Sequence, residues 1–337
     1  MKSAFRVVNV DCNFDYTLER ERLEPLGVEL VFQDSNTEDE IIAACQDADV
    51  VALEEPNTPI TARVLAALPK CKLILKYAVG VDSIDVAAAT KAGIIVANAA
   101  DYCSEEVADH AAALISGSAR GIVMMDRFVR AGNWRDFHRI QPQRRMSLLT
   151  VGLVGFGRIA RQTARRMAGF GMRIIASDPF LTVSNDPSVE IVPLERLLRE
   201  SDFVSVHVPL SAETRGLINE ASFRLMKPTA VIINTSRGPV IDEAALIRAL
   251  QEKRIAGAAL DVTEIEPLPM DSPLRAMDQV TLTPHQGANS VDAIDHIHRT
   301  VTDSLEAMVK GYWPPFPINP KATPRIPLKP WSDFRKA

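Results

Sequence analysis

A chain of 337 residues, 47% hydrophobic and 24% charged, is too long for one core and ordinary for a two-domain globular enzyme, which excludes a disordered or fibrous chain. A net charge of -5 and a pI near 5.8 leave no basic footprint for nucleic acid. No apolar run approaches a membrane span, and the N-terminus passes from Met1 straight into a strand pattern, so a cytoplasmic protein with no membrane partner is expected.

In chain order, strand-like runs at Phe5–Val10, Val28–Phe32, Val50–Leu53, Leu73–Tyr77 and Ile94–Ala97 alternate with helix-compatible segments such as Glu38–Gln46 and Thr61–Leu68. Such alternation means a parallel sheet. Ser104 then opens a long apolar-periodic segment, with Glu105 and Glu106 near the positive end of its dipole, and this helix is expected to cross between domains. A second series follows at Arg173–Ser177, Phe203–Val208, Ala230–Asn234, Ala256–Asp261 and Val280–Thr283; with the apolar run Leu148–Val154 it predicts a six-stranded sheet. Ser290 to Val309 again has helical spacing, and beyond Gly311 the chain is rich in proline, either a surface wrap or a loose tail.

The fold class expected is therefore α/β, two doubly wound parallel-sheet domains. The first domain is discontinuous, residues 1–102 and 291–337, with the second, residues 103–290, inserted in it. The four cysteines, Cys12, Cys45, Cys71 and Cys103, lie far apart with no C-x-x-C pair, which suits reduced structural thiols. His296 and His298, near Asp292 and Asp295, have the residue types of a metal site, but a spacing of two does not place both rings on one helix face, and no metal is expected.

The run Val151-Gly-Leu-Val-Gly155-Phe-Gly157-Arg158-Ile159-Ala160 reads as a strand turning through glycines into a helix. Asp178 stands at the end of the next apolar run. A G-x-G-x-x-A turn lets backbone approach a pyrophosphate at a helix N-terminus, and the carboxylate accepts the ribose hydroxyls. An acid at Asp178 repels a 2′-phosphate, which narrows the cofactor to NAD.

Three polar clusters follow later strands: Asn234-Thr235-Ser236-Arg237-Gly238, Asp261 through Glu266-Pro267, and Thr283-Pro284-His285-Gln286-Gly287. Open parallel sheets bind ligands at these strand ends. Hydride exchange between a nicotinamide and a 2-hydroxy or 2-keto acid needs a cation for the carboxylate and carbonyl oxygens, an acid/base, and a carboxylate to support it. Arg237 offers the planar fork, His285 the proton, and Glu266 a partner that favours the imidazolium and fixes its tautomer. Asp261 is assigned to the nicotinamide surroundings. Taken singly, each residue is also explained as a turn arginine, a loop corner or a cap; together they form one chemical set.

These motifs, with Lys76-Tyr-Ala-Val79-Gly80-Val81-Asp82-Ser-Ile-Asp85 and His207-Val-Pro209-Leu followed by Glu213-Thr214, resemble the D-isomer-specific 2-hydroxyacid dehydrogenases up to about Asn319. The stretch Asp101-Tyr-Cys103-Ser-Glu-Glu-Val107-Ala-Asp109-His is most similar to the phosphoglycerate-dehydrogenase-like and C-terminal-binding-protein-like branches. The resemblance implies a Rossmann NAD-binding domain, a flavodoxin-like substrate domain, a cleft that closes on binding, and a homodimer formed through the NAD-binding domain. It implies catalysis by Arg237, Glu266 and His285, and substrate carboxylate bound by amides at Val79 and Gly80 together with Arg237. Cofactor contacts are implied at Val107, Gly155, Gly157, Arg158, Ile159, Asp178, His207, Pro209, Thr214, Thr235, Ser236, Arg237, Asp261, His285 and Gly287.

Ala78 and Gln286 depart from the family, which has glycine at the first position and an apolar or small residue at the second. Gln286 either bonds substrate or cofactor or faces a backbone carbonyl. The function expected is NAD-dependent hydride transfer to or from a D-2-hydroxy acid. The alternative is an NAD(H)-sensing interaction protein of the C-terminal-binding-protein type.

Overall fold

The computed structural model describes residues 5–11, 15–55, 57–134 and 143–336. The chain divides into two compact units, Met1–Tyr102 with Ser290–Ala337, and Cys103–Asn289. Cys12 lies outside the described residues.

In the first unit β1 (Phe5–Asn9), α1 (Thr17–Leu23), β2 (Val28–Phe32), α2 (Glu38–Cys45), β3 (Val50–Leu53), α3 (Ala62–Ala66), β4 (Leu73–Lys76), α4 (Val86–Lys91) and β5 (Ile95–Asn98) alternate along the chain. The strands form one parallel sheet in the order β2-β1-β3-β4-β5. β3, β4 and β5 are buried along their whole length, because helices cover both faces and neither face can be polar. Helix starts are set locally. Thr37 and Glu40 form a reciprocal capping box at α2, and the Asp85 carboxylate accepts from the Ala88 amide at the start of α4.

The second unit holds α5 (Ser104–Arg120), α6 (Ile122–Arg130), β6 (Thr150–Val154), α7 (Arg158–Ala168), β7 (Arg173–Ser177), β8 (Val189–Ile191), α8 (Leu194–Glu200), β9 (Phe203–Val206), α9 (Glu220–Leu225), β10 (Val231–Asn234), α10 (Glu243–Gln251), β11 (Gly257–Leu260) and β12 (Val280–Leu282). Its parallel sheet has seven strands, not the expected six, in the order β12-β11-β10-β9-β6-β7-β8. The additional strand, β8, is a three-residue edge paired with β7, too short to show a period of its own. Strand order reverses between β6 and its neighbours β7 and β9, and the carboxyl ends around that switch point are where such sheets take ligands. One apolar cluster packs on each face of the sheet, one from Ile115, Phe156 and Met167 and the other from Leu197, Phe223 and Leu246.

α11 (Val291–Val309) and α12 (Trp331–Phe334) return to the first unit. The Ser290 hydroxyl caps α11 by accepting from the Ala293 amide. Its two histidines face opposite ways. His298 is buried and its Nδ1 lies 2.6 Å from Glu19 Oε1, while His296 is exposed. The proline-rich end is a wrap. The Asn319 side chain accepts from the Val96 amide and donates to the Ile94 carbonyl, and the Arg325 guanidinium donates to the carbonyls of Leu68, Pro69, Cys71 and Ala92. Burial pushes the free thiols of Cys45 and Cys71 up to about 12, so both stay protonated. Among the described residues no helix is long and apolar enough to cross a membrane.

Candidate active site

The carboxyl ends of six strands of the second unit carry the residues singled out there, apart from Val107. Val107 is buried on the first turn of α5, three residues before His110, so the two share a helix face.

After β6 the chain turns at Gly155, whose φ of 86° and whose approach to Val208 and the His207 carbonyl both exclude a side chain. Gly157 is the N-cap of α7, and no side chain caps it. Among the described residues nothing stands within 4 Å of where its Cβ would be, and the first turn of α7 has no acidic residue. Uncapped amides beside open space are what a pyrophosphate requires, and Arg158 and Ile159 begin the helix there. Asp178, directly after β7, accepts from the Phe156 amide through Oδ2 and from the Phe180 amide through Oδ1, both at 2.9 Å. Each carboxylate oxygen keeps a lone pair for a ribose hydroxyl.

After β9, His207 Nε2 lies 2.9 Å from Ser205 Oγ. Burial pushes its pKa down to about 4, so the ring is neutral at physiological pH. The Thr214 hydroxyl donates to the Pro209 carbonyl at 2.6 Å and accepts from the Ser211 amide, closing the turn between them. After β10, the Thr235 hydroxyl is buried with no hydrogen-bond partner among the described residues, an orphan that a bound cofactor's polar edge can satisfy. Ser236 instead donates from both its amide and its hydroxyl to Asn234 Oδ1.

The Arg237 guanidinium donates to the Ser236 carbonyl at 2.7 Å, and the Asn234 amide holds the Arg237 carbonyl at 2.9 Å. Gly238 follows because a Cβ there would lie 1.9 Å from the Thr263 carbonyl oxygen. That close approach brings the β10 loop against the β11 loop. Glu266 accepts the Thr263 amide on Oε1 at 3.0 Å, and its Oε2 lies 2.7 Å from His285 Nδ1. Burial raises the Glu266 carboxyl, but the bond and charge of His285, the Thr263 amide and the nearby Arg237 charge outweigh it and hold the group below its ordinary range. An ionised Glu266 can only accept, so Nδ1 carries the proton and Nε2 is left to exchange one with substrate.

His285 has φ 54°, a left-handed backbone that costs a non-glycine residue about 1–2 kcal/mol. Its amide donates to the Asp261 carbonyl at 2.7 Å. The buried Asp261 carboxylate accepts the Thr283 hydroxyl at 2.5 Å and the Gln286 amide at 3.0 Å on Oδ1, and the Gly287 amide at 2.9 Å on Oδ2. His110 Nε2 stands 2.9 Å from the Thr283 hydroxyl and 3.4 Å from Asp261 Oδ1. Burial alone would raise Asp261, yet His110, Thr283 and the two amides hold it well below the carboxylate range. The sequence assigned this carboxylate to the cofactor's surroundings; in the structure its oxygens are turned onto protein donors. His110 had no assigned role, and the only signal was its place three residues after Val107. The Gln286 side chain is exposed, while its backbone amide donates to Asp261 Oδ1 and its carbonyl accepts from the Asn289 amide.

In the first unit, Val79 is exposed and its carbonyl accepts from the Asn98 side chain at 2.5 Å. The amides of Val79 and Gly80 donate to no group among the described residues.

Residues 112–287 match the family described as D-isomer specific 2-hydroxyacid dehydrogenase, NAD binding domain. The chain is 44% identical over 283 residues to a glyoxylate reductase of Korarchaeum cryptofilum, covering 83% of this chain and 85% of that one. A solved glyoxylate reductase from Paecilomyes thermophila aligns with a TM-score of 0.86 at 28% identity, over 95% of this chain and 99% of the other. D-lactate dehydrogenase from Aquifex aeolicus, complexed with NAD and lactic acid, aligns with a TM-score of 0.80 at 29% identity, over 91% and 96% of the two chains.

Proposed function

The chain belongs to the D-isomer-specific 2-hydroxyacid dehydrogenases, and from that premise we propose that it reduces a small 2-keto acid with NADH through Arg237, Glu266 and His285. The observation that carries this is the His285 Nδ1 to Glu266 Oε2 bond of 2.7 Å, with Arg237 on the same sheet edge. Glyoxylate is the first substrate to test, since the relatives at 40–44% identity are glyoxylate reductases, followed by hydroxypyruvate and larger homologues.

The reduced nicotinamide, when bound, supplies the hydride. Amides at the start of α7, which has no side-chain cap, would hold the pyrophosphate, Asp178 would take the ribose hydroxyls and disfavour a 2′-phosphate, and the Thr235 hydroxyl would gain a partner. Arg237 receives the substrate carboxylate and carbonyl oxygen. His285 delivers the Nε2 proton to the developing alkoxide, and Glu266 stabilises the imidazolium before transfer. In the oxidative direction the same nitrogen takes the hydroxyl proton.

The working form is a homodimer joined through the second unit. α6 has no buried residue and exposes Ile122, Val123, Met124 and Val129. NADH absorbance followed with a panel of 2-keto acids tests the activity, with Arg237→Ala and His285→Ala as controls. Turnover with at least one keto acid, lost in both variants, is expected. No turnover with any of them, together with NADH-dependent assembly, favours the sensing role of the C-terminal-binding-protein type.

A further inference from the structure

We propose that His110 is a positioning residue for the acid/base His285, acting through Thr283 and the Asp261 carboxylate. The inference rests on His285 being the acid/base. His285 sits in a left-handed backbone, and such a conformation persists only where its surroundings over-determine it. The amides of that turn are held by one residue. Asp261 takes the His285 amide on its carbonyl and the next two amides on its carboxylate, so three consecutive peptides of the turn hang from it.

The orientation of that carboxylate depends in turn on hydroxyl and imidazole protons. An ionised Asp261 has no hydrogen to give, so the Thr283 hydroxyl must donate to it. The Thr283 oxygen then has only lone pairs to offer His110, which must donate from Nε2. This direction of donation fixes the His110 tautomer, locks the Thr283 rotor and leaves Asp261 Oδ1 facing the Gln286 amide. α5 is long and packed along the sheet, so it supplies the imidazole from a rigid element. A hydrogen-bonded clamp of this kind matters because displacement of a reacting group by an ångström costs turnover, while leaving Arg237 and substrate binding in place.

His110→Ala, His110→Gln, Thr283→Val and His285→Ala are compared by kcat and KM for glyoxylate with NADH, and by hydrogen exchange of the Gln286 and Gly287 amides without cofactor. His110→Ala and Thr283→Val are expected to lower kcat by about 10- to 100-fold, with KM within about threefold of wild type. The same variants raise exchange of the two amides by about tenfold, without a general rise across the second unit. His110→Gln, whose amide can donate in place of Nε2, recovers both readouts. Wild-type exchange in His110→Ala overturns the clamp; faster exchange with wild-type kcat, or loss that His110→Gln does not recover, overturns the positioning role. If His285→Ala keeps wild-type turnover, the acid/base reading fails instead, and amide exchange still decides the clamp.

Discussion

Two corners of the seven-stranded sheet are built in opposite ways. At the β6 corner the chain leaves room: α7 begins without a side-chain cap, and among the described residues nothing stands within 4 Å of a Cβ at Gly157. At the β11 and β12 corner both carboxylates are bound to protein on both oxygens, with Asp261 taking a hydroxyl and two amides and Glu266 taking an amide and His285. Unsatisfied polar groups raise the energy of a protein until a ligand completes them, whereas a saturated network holds its geometry with no ligand present. The first corner is suited to gaining a cofactor, and the second to holding an acid/base in place before one arrives.

Substitutions at the saturated corner should therefore act on turnover and those at the open corner on affinity. The largest effect is expected for His285→Ala, which removes the transferable proton and lowers kcat by about 10²- to 10⁴-fold with little change in NADH affinity. Steady-state kinetics with separate measurement of NADH binding checks both halves. A comparable loss of NADH binding would show that the two corners are not separable.

The converse substitution is Gly157→Val. Its backbone is extended, which a β-branched residue tolerates, and the space around its Cβ is empty of described residues, so the poorer N-cap should cost no more than about 1 kcal/mol of stability. The new side chain stands where the pyrophosphate must approach, and NADH affinity is expected to fall by about 10- to 100-fold, read by fluorescence titration. NADH affinity left intact by the substitution would contradict the open-corner description.

How much of this was visible in the sequence divides along similar lines. Apolar runs of strand length and the spacing of Gly155, Gly157 and Asp178 are local patterns, and the parallel sheets and the glycine turn could be placed from them. β8 escaped because Val-Glu-Ile is an edge strand that owes its existence to pairing with β7. The Asp261 clamp escaped for a different reason. His110 meets Thr283 across 173 residues, and no periodicity encodes a contact between a helix and a strand end that far apart. Gly238 likewise looks like an ordinary turn glycine until the Thr263 carbonyl is placed against it.

The smallest effect concerns His207, which lies between the corners and is kept neutral by burial. Its folded pKa is about 4, against about 6.5 for an unfolded histidine. Between those values the unfolded chain binds more protons than the folded one, so stability rises with pH through that window. The contribution is fully present above the unfolded value and is lost as pH falls toward the folded one. Tm should decline between about pH 7 and about pH 5, and the decline should be shallower by a few degrees in His207→Gln, which cannot be protonated. Acidic groups such as Glu266 also lose stabilising ionisation in acid, but at lower pH, where a glutamine at position 207 makes no difference to them. Equal slopes in the two proteins would mean that His207 accepts a proton in place, so that burial does not hold the ring neutral.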